Sequence, residues 1–217
     1  MKKKLFGATL AVCLLVLSIA GTTVAYFTDT AEKAQAFTAG NVKIAFTVDG
    51  LADPIANVYP GQKIETNAEI KNTGTETAYV GAVITLNKID TENGQAVVDL
   101  RALDIQANPE AGVEALPLHK IFGWSNNANV KIVHTEYTAE ACKIYVIYDA
   151  SVASTETVVF YSDVTLPTAW GNEEMALFNG AKITVAAYAT QTAGFTTGAQ
   201  GALKAAFPEV WDLATNP

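Results

Sequence analysis

An all-β fold, an antiparallel β-sandwich with short peripheral helices, is what this sequence predicts, on three observations. Seven segments alternate apolar and polar residues with a period of two, turn chemistry separates them, and helical periodicity is confined to two places. Each short strand of this kind has one apolar face to bury, and two antiparallel sheets packed face to face bury them all.

The elements follow in chain order. Lys2, Lys3 and Lys4 form a basic start, and residues 5–20 form an uncharged apolar run. That run is shorter than the ~20 residues a spanning helix needs, so it reads as a cleavable export signal. Thr23 and Ala25 are the small residues a signal peptidase reads, which places the cut between Ala25 and Tyr26. The chain is thereby divided into a signal peptide (1–25), an N-terminal segment (26–40) and a sandwich domain (41–217). Cleavage removes three of the fourteen basic side chains and none of the twenty-two acidic ones, taking the formal net charge from −8 to about −11. Such a surface repels nucleic acid and anionic lipid, so nucleic-acid binding is discarded. No second apolar run of spanning length follows, and no stable membrane insertion is expected after cleavage.

Within the domain, residues 63–71 give the cleanest alternation. Ile64, Ala68 and Ile70 point one way, and Lys63, Glu65, Glu69 and Lys71 point the other. Residues 41–48 repeat it with Val42, Ile44, Phe46 and Val48 inward, and residues 79–86 with Val80, Ala82, Ile84 and Leu86 inward. Further strands are predicted over 130–135, 141–148, 155–161 and 181–190, with turns at Asn72 to Gly74, Asn93-Gly94, Asn126-Asn127 and Asn179-Gly180. Helical signal is limited to 98–105 and to 201–207, the latter stopped by Pro208. The Pro-rich stretch 108–117 is expected to cap one end of the sandwich or to form a loop.

Three stretches carry a family likeness. Ala25-Tyr-Phe-Thr-Asp29 followed by Phe37-Thr-Ala-Gly-Asn-Val-Lys-Ile44, and Tyr59-Pro-Gly-Gln-Lys63 leading to Lys71-Asn-Thr-Gly74, closely resemble the TasA/camelysin family of Firmicutes. A weaker third stretch, residues 183–195, resembles the closing strand of some members. The likeness covers about residues 1–90. It implies a jelly-roll version of the sandwich and cleavage by a dedicated ER-type signal peptidase (SipW). It also implies a place in the extracellular or biofilm matrix, or on the surface, of a Gram-positive cell. In TasA-like proteins the region after the cut site is the strand that one subunit donates to the next, giving a fibre.

Carried onto this chain, that role falls on residues 26–37, with Tyr26, Phe27, Thr28, Asp29 and Phe37 as the donor-strand residues. The residues themselves are consistent with it: aromatic anchors, β-forming threonines and no proline. The segment could equally stay in its own domain as a strand or tail, and residues 31–36 are also fair helix formers. The expected partners are the chain itself, as a head-to-tail homopolymer, or related matrix subunits.

The search for chemistry yields no catalytic residue, no metal ligand set and no cofactor. Some family members are described as metalloendopeptidases, but this chain has no H-E-x-x-H, and its two histidines, His119 and His134, fall in different predicted elements. His134 and Glu136 could share a strand face, and with His119 they would bind zinc only by a tertiary accident. Cys142 reads as a small buried hydrophobe, with intermolecular pairing or a reactive thiol as the alternative. Cys13 lies in the signal, and the apolar run continuing past it argues against a lipidation site. The acidic pairs Glu173 and Glu174, Asp49 and Asp53, and Asp90 and Glu92 lack calcium-loop spacing and read as surface charge. Leu166-Pro-Thr matches only the start of a sortase signal. Trp124, Trp170 and Trp211 could form a sugar-stacking face, although packing at sandwich ends explains them as well. A monomeric carbohydrate- or wall-binding protein and a camelysin-like metalloprotease are therefore the alternatives to a fibre subunit.

Overall fold

The computed structural model describes residues 28–32, 42–50, 55, 57–87, 100–105, 115–138 and 141–213. Among them are nine strands: β1 (Thr28–Glu32), β2 (Ile44–Asp49), β3 (Lys63–Asn72), β4 (Ala78–Asn87), β5 (Phe122–Trp124), β6 (Val130–Tyr137), β7 (Ala141–Val152), β8 (Thr157–Thr165) and β9 (Lys182–Gln191). They build two antiparallel sheets, one ordered β1-β9-β4-β7-β6 and the other β2-β3-β8-β5. The all-β sandwich is therefore the observed fold.

Alternation places the core as expected. Val42, Ile44 and Phe46 from β2 and its approach, Ala68 and Ile70 from β3, and Val80, Ala82, Ile84 and Leu86 from β4 are all buried between the sheets. The same core includes Ile144 and Val146 of β7, Phe160 and Val164 of β8, and Ala187 and Ala189 of β9. Burial of each such aliphatic side chain contributes roughly 1.5–3 kcal/mol before the entropy of ordering is subtracted.

The structure adds a layer that alternation does not reveal. Val83, Tyr145 and Ile147 face away from the second sheet, yet they are buried. Two C-terminal helices, α2 (Gly198–Ala206) and α3 (Pro208–Trp211), lie over that face and insert Ala199, Leu203, Phe207 and Trp211. The central strands β4 and β7 are thus apolar on both sides, as a sheet between two layers must be. Gly81 makes the close approach: a Cβ there would lie 2.7 Å from Leu203 Cδ1 and 2.8 Å from Trp211 Cη2.

Several sequence boundaries move. The helix predicted over 201–207 starts at Gly198, and the helical signal at 98–105 becomes a 3-10 turn, Leu100–Leu103. The strand predicted over 155–161 begins at Thr157, because Thr155 takes a left-handed turn conformation (φ 69°), and it continues to Thr165. Elements that had not been predicted include the three-residue β5, helix α1 (Asn172–Phe178), the 3-10 turn Leu118–Ile121, and α3, which begins at the Pro208 expected to end helical structure. The start of α1 is stabilised by Glu174, whose carboxylate accepts the Gly171 N–H at 2.8 Å. Of the Pro-rich stretch, residues 108–114 lie outside the described residues, while Leu116 bridges to Ile105 and so ties its far end to the Leu100–Leu103 turn.

Candidate functional site

The edge of the five-stranded sheet is the first candidate. There β1 pairs antiparallel with β9, Thr28 opposite Thr190, Asp29 opposite Ala189, Thr30 opposite Tyr188, Ala31 opposite Ala187 and Glu32 opposite Ala186. The other flank of β9 is filled by β4, in unbroken register from Ala78 opposite Gln191 to Asn87 opposite Lys182. β9 is thus a straight acceptor whose outer flank is completed by a terminal strand. Of the proposed donor residues, Thr28 and Asp29 are in β1. Tyr26, Phe27 and Phe37, like the Ala25/Tyr26 cut site, lie outside the described residues.

The second candidate lies at the opposite edge, in the β6–β7 hairpin. Thr138 N–H donates to the Ala141 carbonyl at 2.9 Å, closing the turn and setting Tyr137 opposite Cys142. A 3-10 turn, Leu118–Ile121, brings His119 to the same place: His119 Nδ1 and Tyr137 Oη are 2.7 Å apart. Asp104 closes the group, its Oδ1 accepting the Leu118 N–H at 2.7 Å. Burial pulls the His119 pKa below 6.5, helped by Lys120 and opposed by Asp104. Burial also pushes the Tyr137 phenol up, and it pushes the Cys142 thiol up to about 12, with Asp104 acting in the same direction. A thiol held this far from ionisation is a poor nucleophile, so Cys142 behaves as a buried small side chain.

The structure brings Cys142 to Tyr137 and, through it, to His119, whereas His134 packs on Tyr145 with ring centroids 5.5 Å apart. Extending the predicted strand 130–135 by two residues and closing a hairpin through Thr138 would have paired Tyr137 with Cys142 from the sequence. The position of His119 depends on a distant turn and carries no local signal.

These residues do not fit a catalytic metal. Among the described residues no three His, Cys, Asp or Glu side chains converge on one point, and His119 and His134 face different tyrosines. Of the acidic pairs, Glu174 serves as a helix cap, and Asp53, Asp90 and Glu92 lie outside the described residues. The tryptophans do not form an exposed platform. Trp170 and Trp211 are buried, Trp170 donating from Nε1 to the Leu103 carbonyl at 3.2 Å. Trp124 packs against Phe122 and Tyr161 and donates from Nε1 to the His119 carbonyl. No helix among the described residues is long and apolar enough to cross a membrane.

No curated protein and no solved structure matches the chain. The family model described as camelysin metallo-endopeptidase matches residues 1–108, a span that includes β1, β2, β3 and β4 and runs past the Leu100–Leu103 turn. That span holds both of the stronger motif stretches as well as the strand that completes the β9 edge, and the chain belongs to the TasA/camelysin family.

Proposed function

We propose that this protein is a secreted structural subunit of the extracellular matrix or cell surface, which assembles into fibres by donating residues 26–37 to the β9 edge of the next copy. The observation that carries this reading is the β1–β9 pairing. β1 is a short strand at a sheet edge, with residues 33–41 connecting it to the rest of the domain. A second copy offers the same β9 edge in the same register, so exchange replaces each main-chain hydrogen bond with an identical one. Exchange in one direction around the assembly does not close on itself and yields an open filament. The basic, apolar leader ending at Ala25 supplies the export route, and cleavage before Tyr26 releases the donor segment. The partners are then further copies or related matrix subunits, with the signal peptidase acting during export.

Electron microscopy of residues 26–217 held for days at micromolar concentration, beside a chain starting at Gly40, tests this. Filaments from the first and monomers from the second are expected, and monomers from both would overturn it. A second reading, endopeptidase activity, is favoured by the description of the matching family. It requires stoichiometric zinc in the purified protein and loss of metal-dependent proteolysis in the His119→Ala, His134→Ala double variant.

A further inference from the structure

The sandwich has two distinct ends. At one, here the upper end, Ile44, Asn72, Ala78, Val152, Thr157, Thr190 and Thr28 come together by register, and Asn72 Nδ2 ties the two sheets there by donating to the Val152 carbonyl at 3.0 Å. At the lower end are Lys63, Asn87, Ala141, Thr165 and Lys182.

The lower end carries a locked turn. Gln62 N–H donates to the Tyr59 carbonyl at 3.1 Å, and Gln62 Oε1 accepts the Tyr59 N–H at 3.0 Å. Pro60 presets the first corner and Gly61, at φ +76°, takes the second, as a type II turn requires. Two further main-chain bonds, Gly61 N–H to the Leu166 carbonyl and Leu166 N–H to the Gln62 carbonyl, fix the turn to β8's exit. At the start of this turn Tyr59 is 62% exposed, the most exposed large apolar side chain among the described residues. A rigid backbone that holds an aromatic ring in water has the form of a preorganised contact: little entropy is left to lose when a partner covers it.

The direction of β1 identifies that partner. β1 starts at the upper end opposite Thr190 and runs downward to Glu32 opposite Ala186, whereas its own β2 begins at the upper end with Ile44. A strand donated to a neighbour therefore leaves that neighbour heading for its lower end and continues into the upper end of the donor. From the level of Ala186 to Lys182 is four residues, or about 14 Å of strand. Ten steps of chain join Glu32 to Val42 and reach roughly 33 Å, enough to clear the lower end and cross to a stacked copy.

We infer that the Tyr59 turn is the end-on contact between successive subunits, packing against the upper end of the copy whose strand it receives. This rests on the strand-donation reading. Assembly of residues 26–217 is followed by light scattering and negative staining for the parent chain, Tyr59→Ala and Tyr59→Phe. Filament growth is expected to slow about tenfold or more in Tyr59→Ala, the size of an aromatic hot spot, and to be kept in Tyr59→Phe. Thermal midpoints should change little, because the ring is mostly exposed in its own domain.

Thr75 lies in the connection between β3 and β4 at the upper end, so in preformed filaments of mixed Tyr59→Cys and Thr75→Cys chains a bismaleimide should link position 59 to position 75. Equal growth of Tyr59→Ala and the parent, or links only between two copies of position 59, would overturn the contact while leaving strand donation standing. Failure of the parent itself to assemble would overturn both.

Discussion

The two ends of the chain complete the same five-stranded sheet by different means. The C-terminal arm lies across its outer face and is held by side chains: Trp211 packs between Tyr145 and Tyr188, with ring centroids 5.8 and 5.9 Å away, above the space left open at Gly81. The N-terminal arm extends the sheet sideways through a main-chain ladder on β9. Shape-specific packing binds an arm to its own domain, whereas a ladder of peptide groups is available to any strand of suitable register, including one from another copy.

The sharpest way to break this contrast is to empty the Trp211 site. Trp211→Ala should cost about 3–5 kcal/mol, read from the urea midpoint, because a large aromatic is removed from a fully buried position. Filling the facing space should be nearly as harmful. Gly81→Val places methyl groups where Leu203 and Trp211 already stand, and about 1–3 kcal/mol or more is expected from overpacking. A chain starting at Gly40 should lose less stability than Trp211→Ala does, since the described part of β1 pairs with β9 over only five residues at the sheet edge. A loss as large as that of Trp211→Ala would show that the N-terminal arm is as firmly bound as the C-terminal one, and would remove the physical basis for exchange.

The far edge of the same sheet provides finer tests. His119 is held below its unfolded pKa of 6.5 by burial, so below that pH the unfolded chain binds more protons than the folded one. Stability is then complete above about 6.5, falls as the pH drops towards the folded pKa, and levels off beneath it. Melting curves between pH 7.5 and 5 should show this slope in the parent and a reduced one in His119→Gln. The smallest signal concerns Cys142. With its thiol pushed up to about 12 and its side chain buried, it should resist maleimide at pH 7.5 in the native protein and react promptly in urea.

Particular residues show how much was legible beforehand. Ile44, Ala68, Ile70, Val80, Ile84 and Leu86 reveal themselves as core by alternation alone, since a strand with one wet face must place every second residue inward. The same rule misses Val83, Tyr145 and Ile147, because burial of a second face depends on what is folded over it. Helix α1 was missed because its seven residues are too few to show a period, and β5 because three residues cannot alternate convincingly. The β1 segment was legible as a strand former, whereas its acceptor, β9, lies about 160 residues away and is matched only by register.

The sequence by itself determined the basic and apolar N-terminal run, the acidic net charge, the alternating strands and the motif stretches that mark the family, because charge, hydropathy period and turn chemistry are local properties. Only the tertiary structure decided the rest. It laid the C-terminal helices over one sheet, set His119 against Tyr137, buried two of the three tryptophans and placed Thr28 and Tyr59 at opposite ends of the sandwich. Each of these joins residues far apart in the chain, and such pairings are selected by the packing of the whole domain rather than by any local preference.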